Sequence, residues 1–214
     1  MKKGIIVVGM GQGLSMGIAE KFGQEGYKIG MISRSADKLA AFQSELAKQD
    51  IEAVFATADV GDTTALTAAL ENLKLQMGRV DVLEYNAVDY RMKPIMEETA
   101  ADLTKGFQIS VANALSATQT LLSELKANQG AVLLTGGGSA NYPSPAMASI
   151  SLGKAGIKNL AYQLHEVLKA EGIYVGTVTI SGWIQPNSPT HSPQILADLF
   201  WQLNMERSQV EIVH

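Results

Sequence analysis

Two groups of residues carry chemical promise before any fold is considered. The first is the run Gly9-Met-Gly11-Gln-Gly13-Leu14-Ser15, which follows the apolar stretch Ile5–Val8 and precedes a helical pattern. A glycine turn between a strand and a helix lets backbone N–H groups and the positive helix end approach a phosphate. Its setting, after a buried strand in a βαβ pattern, is the context in which such a turn binds a dinucleotide. The second group is Ser33-Arg34-Ser35, with no acidic residue before Asp37. An acidic residue at the end of a second strand would hold a ribose hydroxyl, whereas an arginine accommodates a 2′-phosphate. Arg34 offers a planar fork for a phosphate, and Ser33 and Ser35 offer hydroxyls. The expected cofactor is NADP(H), with NAD(H) the less favoured alternative.

These residues need a scaffold, and the alternation of patterns supplies one. Strands are expected at Ile5–Val8, Tyr27–Ile32, Ala53–Thr57, Val80–Tyr85, Ala131–Thr135 and Ile173–Ile180. Helical periodicity occupies Leu14–Gln24, Asp37–Lys48, Thr63–Met77, one long region at Thr99–Lys126, and Ser149–Lys169. Short β-branched apolar runs read as strands buried on both faces. Strict alternation predicts an α/β, Rossmann-type, doubly wound parallel sheet, with its ligand crevice at the carboxyl ends of the strands. A loop at Gln185–Pro193, a short helix at Pro193–Leu203 and an edge strand at Val210–Val213 complete one domain over residues 1–214.

Composition narrows the class. The 214 residues include 46% hydrophobic and 18% charged residues, as in a globular domain, and the net charge is −4. That balance argues against general nucleic-acid binding and a polybasic membrane anchor. The chain has no cysteine, which excludes thiolate chemistry and Cys-ligated metals, and its three histidines show no ligand spacing, so no metal site is expected. The first apolar run stops at Gly9, too soon for a secretory signal, and a cytoplasmic location follows by default.

Several stretches together resemble the short-chain dehydrogenase family over about residues 4–184. They are Gly9-x-x-x-Gly13-x-Ser15, with Ser15 in place of a third glycine; Ala58-Asp59-Val60; Asn86-Ala87-Val88; Ser151-Leu-Gly-Lys154-Ala-Gly; and Ser181-Gly182-Trp183-Ile184. The resemblance implies that Asp59 and Val60 border the adenine, and that Asn86 and Ala87 form a cofactor wall. It also implies that Lys154 contacts the nicotinamide ribose and that Gly182 and Ile184 lie near the nicotinamide. Serine at 15, where a glycine lets helix and strand pack closely, is expected to shift the helix slightly.

The same resemblance implies a Ser-Tyr-Lys centre with a supporting asparagine, and here the chain departs from it. Lys154 fills the lysine position, but the tyrosine position is Ile150, the serine position falls nearest Gly137, and the asparagine aligns with Ser110. The family's tyrosine is its proton donor, activated by the lysine. Candidates for a replacement are Ser151, three residues before Lys154; Ser139 and Tyr142, in the preceding loop; and Tyr90, near the same rim. Tyr142 is the best acid among them by chemistry. Lys154 alone, with an ordinary pKa of about 10, is a poor acid. Two readings stand: an atypical NADP(H)-dependent oxidoreductase acting on a small carbonyl or alcohol, or a nucleotide-binding sensor or partner-binding protein without turnover. The resemblance further implies a homodimer or homotetramer through the helices at Asp102–Lys126 and Ser149–Lys169. With 30 residues after Ile184, it implies a short substrate lid at about 185–205 and a small or open pocket.

Overall fold

A computed structural model describes all residues, Met1–His214. Seven parallel strands form one sheet in the order β3-β2-β1-β4-β5-β6-β7. The strands are β1 (Gly4–Val8), β2 (Lys28–Ser33), β3 (Ala53–Thr57), β4 (Val82–Tyr85), β5 (Ala131–Thr135), β6 (Tyr174–Thr179) and β7 (Glu211–Val213). The order reverses between β1 and β4, which opens a crevice at their carboxyl ends.

Alternating side chains feed two cores of equal size. On one face Ile5, Val7 and Val82 pack with helices α1 (Leu14–Gln24), α2 (Ala36–Ala47) and α8 (Pro193–Glu206). On the other, Ile6, Val8 and Leu83 pack with α3 (Thr63–Met77), α5 (Asn113–Thr120) and α7 (Ala148–Leu168). This is the pleat's period of two with both faces covered. Helix starts follow local chemistry: Ser35, Asp62 and Ser192 each accept a backbone N–H three residues on. No helix is long and apolar enough to cross a membrane.

The long helical region expected at Thr99–Lys126 is not continuous. It divides into α4 (Ala100–Phe107), a π turn (Gln108–Ala112), α5 and α6 (Leu122–Ala127). The cause lies outside the segment. The Tyr85 hydroxyl donates to the Ile109 carbonyl at 2.6 Å, and Ser110 Oγ accepts the Asp89 N–H at 3.0 Å. The Asn113 amide donates to the Val60 carbonyl at 2.5 Å and accepts from the Thr63 hydroxyl at 2.8 Å. With the Ile109 carbonyl and the Ser110 and Asn113 side chains that follow it engaged by other strands and loops, the ladder widens by one residue.

The stretch expected to act as a lid also divides. Gln185–Ser192 is irregular, but the rest belongs to α8, whose Leu196, Ala197, Phe200 and Leu203 are buried against α1 and the sheet.

Candidate active site

The carboxyl ends of β1, β4, β5 and β6 surround a cleft of about 860 Å³. Its wall is formed by Gly11, Gly13, Leu14 and Ser15 from the glycine turn, Asn86 and Val88 after β4, and Thr135–Ser139 after β5. Tyr142, Met147, Ile150 and Lys154 follow, with Ile180–Ile184 after β6.

At the glycine turn, Gly9 has φ +90°, and a Cβ there would stand 2.6 Å from the Ala87 nitrogen. Only glycine combines that conformation with so close an approach of two strand ends. Ala87 therefore serves as the back of the turn. Side chains added at Gly11 or Gly13 would meet nothing within 4 Å, so these residues face open cleft. Helix α1 starts at Gly13 with no side-chain cap. An uncapped helix end facing an open cradle fits a pyrophosphate. Ser15 is buried; its hydroxyl donates to the Gly9 carbonyl at 3.0 Å and accepts from Asn86 Nδ2 at 2.6 Å. The departure from glycine at 15 thus supplies a link between the turn and the end of β4.

The residues expected around the adenine half lie at and just beyond the carboxyl ends of β2 and β3, next along the sheet and outside the cleft lining. Ser33 ends β2, Arg34 is exposed just beyond it, and Ser35 caps α2 by accepting the Lys38 N–H at 3.4 Å. Asp59 accepts the Gly61 N–H at 2.9 Å, and the neighbouring Val60 is buried.

Among the five candidate catalytic residues, Lys154, Ser139 and Tyr142 share the cleft. Ser110 and Ser151 do not line it. Both are buried, Ser110 holding the Asp89 N–H and Ser151 accepting the Ser144 N–H at 3.0 Å, so their hydroxyls anchor loops. Ile150 lines the wall, and Tyr90, Tyr142 and Trp183 stand exposed at the rim.

The surroundings of Lys154 differ from those expected. Its ammonium donates to the Thr135 carbonyl at 2.7 Å, and burial lowers its pKa to about 8, partly opposed by the charge of Glu84. It is therefore a stronger acid than the free side chain, which corrects the expectation of a value near 10. Glu84 belongs to no expected site. It is fully buried on β4 beside Val7 and Leu133, and its Oε1 accepts the Thr135 hydroxyl at 2.8 Å. Burial raises the carboxyl to about 8, offset in part by that hydrogen bond and by Lys154. The one signal available in the sequence was a glutamate inside a strand read as wholly buried.

Two glycines of α7 pack closely against the π turn. A Cβ at Gly153 would stand 2.8 Å from Ser110 Cβ, and one at Gly156 2.7 Å from Val111 Cγ2.

Similarity to known proteins agrees with this geometry. L-2,3-butanediol dehydrogenase of Corynebacterium glutamicum is 30% identical over 113 residues, 52% of this chain and 44% of that protein. Very-long-chain 3-oxoacyl-CoA reductase of Anas platyrhynchos is 26% identical over 181 residues, 81% of this chain and 57% of that protein. The chain thus spans about half the length of these curated relatives. Among solved structures, a variant actinorhodin polyketide ketoreductase with NADPH superposes with a TM-score of 0.90 at 19% identity, covering 99% of this chain and 95% of that one. A metagenomic short-chain oxidoreductase in complex with NADP gives 0.87 at 21% identity, with 99% and 95% covered. The family model described as short chain dehydrogenase matches residues 3–187, and the chain belongs to that family, whose members use a nicotinamide cofactor.

Proposed function

We propose that the protein is an NADP(H)-dependent oxidoreductase acting on a small carbonyl or alcohol through a reaction centre reduced to Lys154 and the polar groups near it. The observation that carries this reading is the single cleft that joins the open glycine cradle to Lys154. Gly11, Gly13 and the start of α1 would hold the pyrophosphate. Arg34 would pair with a 2′-phosphate, and Asn86, Lys154, Gly182 and Ile184 would border the nicotinamide half. The nicotinamide supplies hydride when bound; the protein supplies position and charge. Tyr142 and Ser139 would hold or protonate a substrate oxygen, and Lys154 is the cation that lines the same cleft. NADP(H) is preferred over NAD(H) on the strength of Arg34 and of the absence of a carboxylate at the end of β2. Structural neighbours with NADP(H) support the same choice.

A second reading is favoured by one specific feature, the apolar Ile150 in the cleft wall. On it, the protein binds the nucleotide without turnover and serves as a sensor or partner-binding module. NADPH oxidation measured with a panel of ketones, aldehydes and diketones separates the two. Steady turnover selects the oxidoreductase, and tight NADPH binding without turnover selects the sensor.

A homodimer or homotetramer is part of the reading. Phe107 on α4, Leu115 on α5 and Leu152 on α7 are exposed apolar residues on the helices that the family resemblance assigns to its interface. Light scattering at micromolar concentration tests it, and a monomer would contradict it.

A further inference from the structure

We propose that Glu84 is a positioning residue for Lys154, a carboxyl beneath the cleft that acts through their common partner Thr135 to fix where the lysine sits on the cleft floor. The inference rests on the functional reading only in taking Lys154 as part of the site.

The argument begins with an awkward residue. Glu84 lies in a central strand with Val7 and Leu133 as its register neighbours, and it has no exposure. A buried carboxyl is costly unless bonded and paired, and an apolar side chain of similar volume would fill the same space with less penalty. Packing therefore gives no reason for a glutamate. Hydrogen bonding gives half of one: Oε1 accepts the Thr135 hydroxyl, while Oε2 is buried with no partner. The remaining reason is charge. Lys154 is the one cation acting on Glu84, and Glu84 the one anion acting on Lys154.

Thr135 joins the two. Its hydroxyl, on the face shared with Leu133, reaches Glu84, and its carbonyl, at the end of β5, receives the Lys154 ammonium at 2.7 Å. Lys154 comes from α7, in the layer on the opposite face of the sheet, and reaches this carbonyl across the strand ends. Gly137 keeps that route open, because a Cβ there would stand 3.1 to 3.3 Å from the Lys154 methylenes. The chain thus combines a glycine that makes room for the lysine, a carbonyl that receives it and a buried carboxyl that attracts it. Isoleucine at 150 leaves no phenol for Lys154 to activate, so the state of the lysine itself becomes the variable that Glu84 sets.

The test follows Lys154 in the ligand-free protein by NMR of 13Cε-labelled lysine, its resonance assigned by its loss in Lys154→Met. In Glu84→Gln the midpoint of Lys154 should fall by about one pH unit, because the wild-type carboxyl ionises over the same range near pH 8 and then favours the ammonium. An unchanged midpoint overturns the proposal. The reciprocal measurement keeps the test decisive if Glu84→Gln does not fold. The 13Cδ resonance of Glu84 should titrate at higher pH in Lys154→Met than in wild type, and an equal midpoint overturns the proposal. NADPH titration separates this from the functional reading. Coupled midpoints in a protein that binds no NADPH would uphold the pair and defeat the cofactor assignment.

Discussion

The methylenes of Lys154 lie against the backbone of Gly137, so closely that a Cβ at 137 would stand 3.1 Å from Lys154 Cγ. Position 137 is where the family resemblance places a catalytic serine, so a serine there and the present path of the lysine compete for the same space. Gly137→Ser alone should displace Lys154 from the Thr135 carbonyl and weaken NADPH binding. Combined with Ile150→Tyr it should raise ketone reduction, since a positioned general acid contributes about 10²–10⁴ in rate. A double variant no faster than wild type would show that the centre works through another residue. The measurement is NADPH oxidation at saturating ketone.

Tyr142 lines the cleft although the residue is 82% exposed. If it donates the proton, Tyr142→Phe should lower turnover tenfold or more with little change in NADPH affinity. Ser151→Ala should leave turnover nearly intact and cost about 1 kcal/mol of stability, because the Ser144 N–H loses its acceptor. Steady-state kinetics and denaturant melts distinguish the two outcomes.

Arg34 should set cofactor choice. A charge-assisted contact to a 2′-phosphate contributes about 1.5–3 kcal/mol, so Arg34→Ala should weaken NADPH about tenfold or more and leave NADH unchanged. Quenching of Trp183, on the cleft rim, provides the titration signal. Equal losses for both cofactors would contradict the assignment.

Burial of Glu84 and Lys154 gives stability an unusual pH dependence. The folded protein holds the Glu84 proton up to a pH of about 8, against a reference of 4.5, so this contribution is present below 4.5 and is lost as pH rises to about 8. For Lys154 the shift is downward, from 10.5 to about 8, so its contribution is present above 10.5 and is lost as pH falls through about 8. Wild-type stability should therefore dip near pH 8 relative to pH 5. Glu84→Leu should flatten the fall between pH 5 and 8 and raise the melting temperature at pH 8. Thermal melts across pH check both.

Much of the fold was legible because it rests on local pattern. β3 and β5 fall at the expected residues, as does α1, each bounded by a change in hydrophobic period within its own segment. What was not legible depends on partners far along the chain. The π turn arises from a tyrosine 24 residues upstream, and no property of Gln108–Ala112 announces it. Glu84 gains its meaning from Thr135 and Lys154, 51 residues away and beyond. The glycine turn and Arg34 could be read from chemistry alone, whereas Lys154, Ser139 and Tyr142 entered through the family resemblance.

The packing of α8 on α1 bears on how the protein is made. A Cβ at Gly17 would stand 2.7 Å from the Pro193 carbonyl, and Phe22 and Tyr27 meet Trp201 edge-on at 5.1 and 5.9 Å. The helix that follows the glycine turn therefore completes its burial only against residues about 180 positions further along the chain. A nascent chain halted before residue 193 would leave Phe22 and Tyr27 without that cover. Closing so long a loop is slow, so this packing should form late in folding. Quenching or shifting of Trp201 emission during refolding would time it, independently of any ligand.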